Sequence, residues 1–246
     1  MLPIRDHNPS GRTPYVVNVL MALNILVFFA YFGLPGELAI HAVWQHWGIV
    51  PARIMQGSGF ETFVTSMFLH GGFMHLAGNM LFLWIFGDNL EDQMGHLPFL
   101  LFYTAGGLGA GLIHVISDPY SVVPTIGASG AIAAVMGGYL LLFPRARIDI
   151  LLILIVFFRV FTVPAWVMLG VWLGLQFLGS LSTSGDAGGV AYWAHTGGFV
   201  VGLILTVPLW LRRGGTGYWN RTHGHPPHPD LEYDVTRSGC GGWPWV

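Results

Sequence analysis

The sequence predicts an all-α membrane protein whose six helices cross the bilayer and whose two termini lie on the cytoplasmic side. Hydrophobic residues make up 53% of its 246 residues and charged residues 9%, and the mean hydropathy is +0.60. A soluble domain carries about 25% charged residues, so this chain cannot cover a water-facing surface with charge. Its apolar residues fall in long runs, as transmembrane helices require.

Six apolar segments are candidates for these helices, since a helix needs about 20 apolar residues to cross a bilayer. In chain order they cover residues 15–34, 63–86, 99–116, 126–143, 164–181 and 191–211. A further apolar run, residues 148–158, has only nine uncharged residues between Asp149 and Arg159. It is too short to span, and we interpret it as an interfacial or re-entrant segment, with a seventh helix as the alternative.

The arginines predict the orientation, because basic residues favour the cytoplasmic ends of spans. The chain has ten arginines and no lysine, and with six spans only Arg53 lies clearly on the outer side. We therefore expect a cytoplasmic segment 1–13, a membrane domain 14–211 and a cytoplasmic, disordered tail 212–246 that is rich in Gly and Pro. The absence of lysine and the short termini are compatible with a multi-pass protein of a bacterial plasma (inner) membrane.

Several classes of protein are excluded by what the sequence lacks. The net charge of −2 gives no basic footprint for nucleic acid. A lone Cys240 cannot form an internal disulfide or a cysteine zinc site. There is no HExxH motif for an intramembrane zinc protease. There is also no pair of mid-span acids for an aspartyl protease, because Asp88, Glu91 and Asp92 are expected in a loop.

Histidines offer two candidate metal sites, and neither is favoured. His70 and His75 are five residues apart, which places them about 140° apart around a helix, too far to hold one metal together. A second group lies in the tail and consists of His223, His225 and His228, for which a flexible His-rich tail is the simpler interpretation. We expect no metal and no other cofactor.

A serine flanked by glycines opens the fourth segment, in the sequence Gly127-Ala128-Ser129-Gly130. Its small neighbours leave the backbone open to a substrate, and the first turn of a helix supplies free N–H groups that can stabilise an oxyanion. The alternative is a helix-packing face, because small residues recur every four positions from Gly130 onward.

A histidine opens the sixth segment. His195 lies three residues before Gly198, and Gly198 forms with Gly202 a GxxxG face that allows close helix packing. Taken alone, His195 could be a structural, hydrogen-bonded residue. The fourth and sixth segments both enter from the outer side, however, so Ser129 and His195 are expected at similar, shallow depth, where a base can reach a hydroxyl nucleophile.

Together these motifs resemble the rhomboid family of intramembrane serine proteases over residues 14–211. His75 and Asn79 share one helical face, about 40° apart, and match the second-helix motif of that family. The other matching residues are Phe86-Gly87, Glu91 and Gly95 in the following loop, Gly127 to Gly130 as its GxSG, and Ala194 to Phe199 with Gly202 in its last helix.

The resemblance implies a Ser-His dyad in which Ser129 is the nucleophile and His195 the general base. It implies an oxyanion hole made by His75, Asn79 and the Ser129 N–H. The residues implied to support the motifs are Gly127, Gly130, Gly198, Gly202 and Glu91. The implied substrates are single-pass membrane proteins, cut in or near their transmembrane helix, typically after a small residue. One departure is Ala133, where some members carry a tyrosine that stacks on the base.

Access to the site rests on two further expectations. The Gly-rich residues 184–191 are a candidate mobile cap, and the fifth helix is a candidate lateral gate to the lipid. Two other functions stay open from the residues. A non-proteolytic rhomboid-like protein would bind membrane clients, and its members tend to lack the Ser or the His. A transporter or channel would need more polar residues inside its spans.

Overall fold

The computed structural model describes residues 2–154, 157–182 and 191–224, and within these ranges the chain is mainly helical. In chain order the elements are β1 (Leu2–Asp6), α1 (Tyr15–Phe32), α2 (Glu37–Trp47), α3 (Pro51–Met55), α4 (Thr62–Thr65), a 3-10 turn (Ser66–Phe68), α5 (Phe73–Met94), α6 (His96–Ser117), α7 (Ser129–Leu142), β2 (Arg147–Leu154), β3 (Phe157–Pro164), α8 (Ala165–Ser182), α9 (Tyr192–Arg212) and α10 (Thr216–Thr222).

Each of the six predicted segments overlaps one of the longer helices, but not all of these are long enough to cross a bilayer. Within the described part of the chain, α1, α6 and α9 are long and apolar enough to cross a bilayer. A fourth span results if Thr62–Phe68 and α5, which are bent by 98° relative to each other, count as one broken span. The helices α7 and α8 are apolar but shorter. The residues that the structure describes therefore contain three to four candidate spans, as expected of a membrane protein.

The helix α7 lies at the centre of the bundle. Eleven of its fourteen residues are buried, and it packs against α5, α6 and α9. Small residues make this possible: a Cβ on Gly106 of α6 would clash with Ala134, and one on Gly137 of α7 would clash with the Phe199 carbonyl oxygen. Because the first residue of this central helix is Ser129, the packing fixes the position of the serine.

The expected loop between the second and third segments is instead helical. Asp88, Glu91 and Asp92 lie in the last two turns of α5, and a single residue, Gly95 with φ +84°, separates α5 from α6. Glycine adopts this left-handed backbone without a Cβ penalty, so the chain can reverse sharply there. The prediction that these acids occupy a loop is wrong because the apolar helical pattern continues through Leu90, which is fully buried.

A three-stranded antiparallel sheet is the main departure from the all-α expectation. Residues 148–158, interpreted as interfacial or re-entrant, contribute to β2 and β3, and β1 pairs with the other edge of β2. The Asp149 carboxylate accepts hydrogen bonds from the Thr162 hydroxyl at 2.6 Å and from Arg5 at 2.9 Å, and it lies 2.9 Å from His7 Nε2. A charged residue thus ties all three strands together.

The first part of the predicted disordered tail forms α10. The Trp219 indole N–H donates to the Leu141 carbonyl oxygen at 2.8 Å, and Tyr218 is 3% exposed, so the helix is held against the bundle. The remaining tail, with Cys240 and two of the three tail histidines, His225 and His228, lies outside the described residues, as does most of the candidate cap.

Candidate active site

Ser129 and His195 meet where two central helices begin. Ser129 is the first residue of α7 and His195 lies in the first turn of α9. The Ser129 Oγ is 2.7 Å from His195 Nε2, a normal hydrogen-bond distance. The two helices approach closely there, since a Cβ on Gly198 would overlap the Gly130 carbonyl oxygen. The geometry therefore brings a hydroxyl group and an imidazole base into direct contact.

Gly127 brings a third side chain to this pair. Its φ of +128° requires a glycine, and its N–H donates to the Ser66 carbonyl oxygen at 2.9 Å. A Cβ at this position would lie 2.9 Å from His75 Nε2 and 3.4 Å from Ser129 Oγ. The absence of a side chain thus lets the His75 ring from α5 approach the serine.

The His75 ring is held in a defined tautomer. Its Nδ1 accepts a hydrogen bond from the Gly71 N–H at 3.2 Å, so a neutral ring carries its proton on Nε2. That nitrogen faces the side of Gly127 on which Ser129 lies. His75 can therefore act as a hydrogen-bond donor next to the serine.

Asn79 lies one turn further along α5, on the same face as His75. Its Nδ2 donates to the His75 carbonyl oxygen at 2.8 Å, and the residue is 7% exposed. An amide has two N–H donors, so this bond engages only one of them. Both residues line the same cavity as Ser129.

His70 lies nearer to His75 than the predicted helical spacing implied, because it precedes the start of α5 at Phe73 and is not part of that helix. The two rings are 5.1 Å apart between centroids and lie edge to face. His70 is fixed through its backbone, whose N–H and carbonyl oxygen lie 2.6 Å and 2.5 Å from the Tyr31 hydroxyl. In residues 2–154, 157–182 and 191–224 there is no group of three or more His, Cys, Asp or Glu side chains placed to hold a metal.

A cavity of about 1000 Å³ opens over the serine and the histidine. Its lining combines the polar residues His114, Asp118 and Thr125 with the apolar side chains Phe82 of α5 and Trp172 of α8. The first group offers partners for water, and the second can contact an apolar chain. The cavity can thus hold both water and an apolar chain beside Ser129.

Sequence reasoning missed the residues that contact the far side of the histidine. Gln176 of α8 has its Oε1 2.8 Å from His195 Nδ1, and the Trp172 ring lies 5.8 Å from the His195 ring, tilted by 34°. A signal was present, because a polar residue inside a span is costly and marks a functional position. A lone glutamine gave no indication of its partner, which lies 19 residues away on another helix.

Comparisons with known proteins place the sequence of this chain in a family. The sequence matches the family model of the Rhomboid domain over residues 58–212. It is similar to RHOMBOID-like protein 5 of Arabidopsis thaliana (27% identity over 78% of this chain and 57% of the relative). It is also similar to the mitochondrial Rhomboid protein 1 of Saccharomyces cerevisiae (29% identity over 72% of this chain and 51% of the relative). A third relative is Rhomboid protease GluP of Bacillus subtilis (30% identity over 79% of this chain and 36% of the relative). The chain thus spans about half the length, or less, of these curated relatives.

Proposed function

The chain belongs to the rhomboid family, and we propose that it is an intramembrane serine protease that hydrolyses peptide bonds in or near the transmembrane segments of membrane-anchored proteins. The observation that carries the proposal is the hydrogen bond of 2.7 Å between Ser129 Oγ and His195 Nε2. A nucleophile within hydrogen-bond reach of a base is the signature of covalent catalysis. The proposed mechanism uses these two residues as a dyad.

In the first step, His195 Nε2 takes the proton of the Ser129 hydroxyl while Oγ attacks the carbonyl carbon of the scissile peptide bond. Negative charge then develops on the substrate oxygen. The Ser129 N–H, which has no intrahelical partner in the first turn of α7, and the Nε2–H of His75 are positioned to donate to that oxygen. Asn79 supplies a further donor when its second N–H turns to the oxyanion.

In the second step, His195 gives its proton to the leaving amine, and an acyl-enzyme on Ser129 remains. Water from the cavity then attacks the ester carbonyl, with His195 again taking a proton. His195 then returns this proton to Ser129 Oγ as the ester bond breaks, which regenerates the serine and the neutral base, and the new carboxyl end leaves. The polar lining of the cavity supports the supply of water that this step needs.

We further propose that substrates enter between α5 and α8. The cavity is lined by Phe82 from α5 and by Trp172 from α8, whereas α8 packs mainly against α9. An apolar passage between two weakly associated helices suits a single-pass transmembrane helix. The fifth predicted span, α8, is accordingly the proposed lateral gate.

The arrangement in the membrane is part of the same proposal. Six crossings, with both termini on the cytoplasmic side, place Ser129 and His195 near the outer surface, in keeping with the distribution of arginines. A bacterial plasma membrane is proposed as the location. The matched relatives come from a bacterium, a plant and yeast, so the similarity supports a membrane location in general.

Labelling with a fluorophosphonate tests the enzyme against a client-binding protein or a channel, because only an activated serine reacts. We expect the detergent-solubilised protein to be labelled and to cleave a model transmembrane substrate. Both reactions should be lost in Ser129→Ala and in His195→Ala, and the double variant should be no worse than either single one, since the two groups act as a unit.

A matched control is Ser180→Ala. Ser180 also lines the cavity, but its hydroxyl donates to the Phe177 carbonyl oxygen at 2.7 Å and has no role in the proposed chemistry. Labelling should be retained in this variant. Undiminished labelling and cleavage by Ser129→Ala would overturn the proposed function.

A further inference from the structure

The imidazole of His195 makes two hydrogen-bond contacts, one with each ring nitrogen. Nε2 lies 2.7 Å from Ser129 Oγ, and Nδ1 lies 2.8 Å from the amide oxygen of Gln176. The second contact comes from α8, a helix that contributes neither the nucleophile nor the expected oxyanion donors. Gln176 therefore occupies the place from which a base is oriented.

We propose that Gln176 is a positioning residue for His195, whose amide oxygen accepts a hydrogen bond from Nδ1–H and thereby keeps Nε2 free to take the proton of Ser129. The proposal rests on the proposed function, because it assigns Gln176 a role in that same reaction. It assigns no bond-making step to Gln176, which acts only through His195.

The chemical reason lies in the two tautomers of neutral imidazole. The amide oxygen of Gln176 can only accept, so the proton of a neutral ring must be on Nδ1 and the lone pair on Nε2. That is the tautomer a general base needs. If the glutamine presented its NH₂ group to Nδ1 instead, the ring proton would move to Nε2, where it would prevent proton transfer from Ser129.

A neutral amide suits this position better than a carboxylate. A charged side chain inside a span is expensive, whereas a polar neutral one costs less. The amide oxygen still presents its negative dipole end to the imidazolium that forms during catalysis. The cavity lining in the described part of the chain includes one acid, Asp118 at the end of α6, and the position facing Nδ1 is taken by Gln176.

The same helix also restrains the plane of the ring. Trp172 precedes Gln176 by one turn, and its ring lies 5.8 Å from that of His195 at an angle of 34°. One turn after Ser129 in α7, Ala133 is fully buried and has no ring that could stack on the base. Two residues of α8 thus fix the rotation and the tautomer of the base. A displacement of α8 would therefore alter the orientation of His195.

The test compares an isosteric apolar variant with one that keeps an oxygen acceptor. In Gln176→Met the acceptor is lost while length is retained, and kcat should fall about 10–100-fold, the range found when the orienting partner of a metal-binding histidine is removed. The apparent KM for a transmembrane substrate should change little. The rate of fluorophosphonate labelling should fall by the same factor, because a small reagent reports on the dyad without needing the gate.

Gln176→Glu should retain activity, because a carboxylate oxygen can also accept a hydrogen bond from Nδ1–H. We expect its kcat to lie within about threefold of the unmodified protein, since the required tautomer is preserved. The control is Leu175→Met on the same helix, where the side chain is 59% exposed; its kinetics should be unchanged. If Gln176→Met does not fold, Gln176→Ala replaces it, with rates expressed per folded molecule.

Two outcomes would overturn the proposal: normal labelling and turnover in the apolar variant, or equal impairment of the Met and Glu variants. A large rise in KM with unchanged labelling would also overturn it, because that result assigns Gln176 to substrate passage. Failure of the proposed function looks different. It appears as absent labelling of the unmodified protein, or as labelling that persists in Ser129→Ala.

Discussion

Gly202 of α9 lies so close to Ala134 of α7 that a Cβ on the glycine would overlap the Ala134 carbonyl oxygen. One turn earlier, Gly198 meets Gly130 in the same way. The two helices are therefore in backbone contact over the turns that follow Ser129 and His195. The separation of Ser129 and His195, the proposed nucleophile and base, depends on this contact, because each residue lies at the start of its helix.

Gly202→Val should push α9 away from α7 and lower turnover by about 100-fold or more, since a misplacement of about 1 Å can cost that much. The comparison is Gly170→Val on α8, where nothing lies within 4 Å of an added Cβ. Turnover per folded molecule and fluorophosphonate labelling measure the effect. Full activity in a folded Gly202→Val protein would show that this contact does not align the dyad.

The helices and the motif positions were predictable because each is encoded locally. The apolar runs indicated where the longer helices lie, although in the described residues three to four of them qualify as membrane spans. The small residues of α7 and α9 predicted that these two helices pack closely. The sheet was not predictable, because residues 148–158 are apolar without alternation and such a run does not reveal its period. Its pairing with β1 also joins residues more than 140 positions apart, as Arg5 and Asp149 show.

The site was predictable only in part, for a similar reason. Ser129, His195 and His75 stand out by residue type and by their glycine neighbours. The hydrogen bond to Gln176 and the tautomer of His75, set by the Gly71 N–H, depend on how side chains face one another. Periodicity gives the face of a helix but not the partner of a side chain.

Glu91→Gln should lower the melting temperature and leave turnover per folded molecule close to normal. The two carboxylate oxygens accept from the N–H groups of Val16 and Val17, each at 2.9 Å, and so cap the start of α1. An amide keeps one acceptor and turns a donor toward the other N–H. The free energy of unfolding should fall by about 1.5–3 kcal/mol, the usual contribution of a hydrogen bond to a charged group.

The control for Glu91 is Asp92→Asn on the same turn of α5. Asp92 faces Arg12 at 4.0 Å, and the Arg12 side chain is 70% exposed, so this ion pair should add little. Thermal unfolding in detergent compares the two variants. A stable but inactive Glu91→Gln protein would contradict the structural role and place Glu91 in the chemistry.

Asp6 should make the folded protein less stable as the pH rises. Burial raises the pKa of the Asp6 carboxyl from 3.8 to about 7, although its Oδ2 accepts from the Tyr139 hydroxyl at 2.7 Å. A raised carboxyl pKa means that the folded state favours the protonated form of Asp6. The stability that this protonated carboxyl adds to the folded state is complete below about pH 4 and is lost as the pH rises through about 7.

The melting temperature between pH 5 and pH 8 should therefore fall more steeply in the unmodified protein than in Asp6→Asn, which cannot ionise. Asp149→Asn is the control. The hydrogen bond from the Thr162 hydroxyl, with those from His7 and Arg5, lowers the pKa of Asp149 to about 2, so that carboxyl stays ionised over this range. If the melting temperature falls equally steeply with pH in Asp6→Asn and in the unmodified protein, the prediction is contradicted.

The proposed oxyanion hole makes a distinct kinetic prediction. Attack by Ser129 places negative charge on the substrate oxygen, and a donor preorganised for that charge is worth about 10²–10³ in rate. His75 presents Nε2–H beside Gly127, whereas one N–H of Asn79 already donates to the His75 carbonyl oxygen. His75→Ala should therefore lower kcat more than Asn79→Ala. Neither should abolish turnover, because the Ser129 N–H and the other side chain remain.

The double variant of His75 and Asn79 should lose considerably more activity than either single variant, with little change in apparent KM, because these donors act on the transition state rather than on the bound substrate. A purely structural role makes the opposite prediction. Asn79 bonds within its own helix and His75 bonds to Gly71, so loss of either could simply lower the melting temperature. Turnover per folded molecule decides between the two, and an unchanged kcat in the double variant would remove both residues from the catalytic machinery.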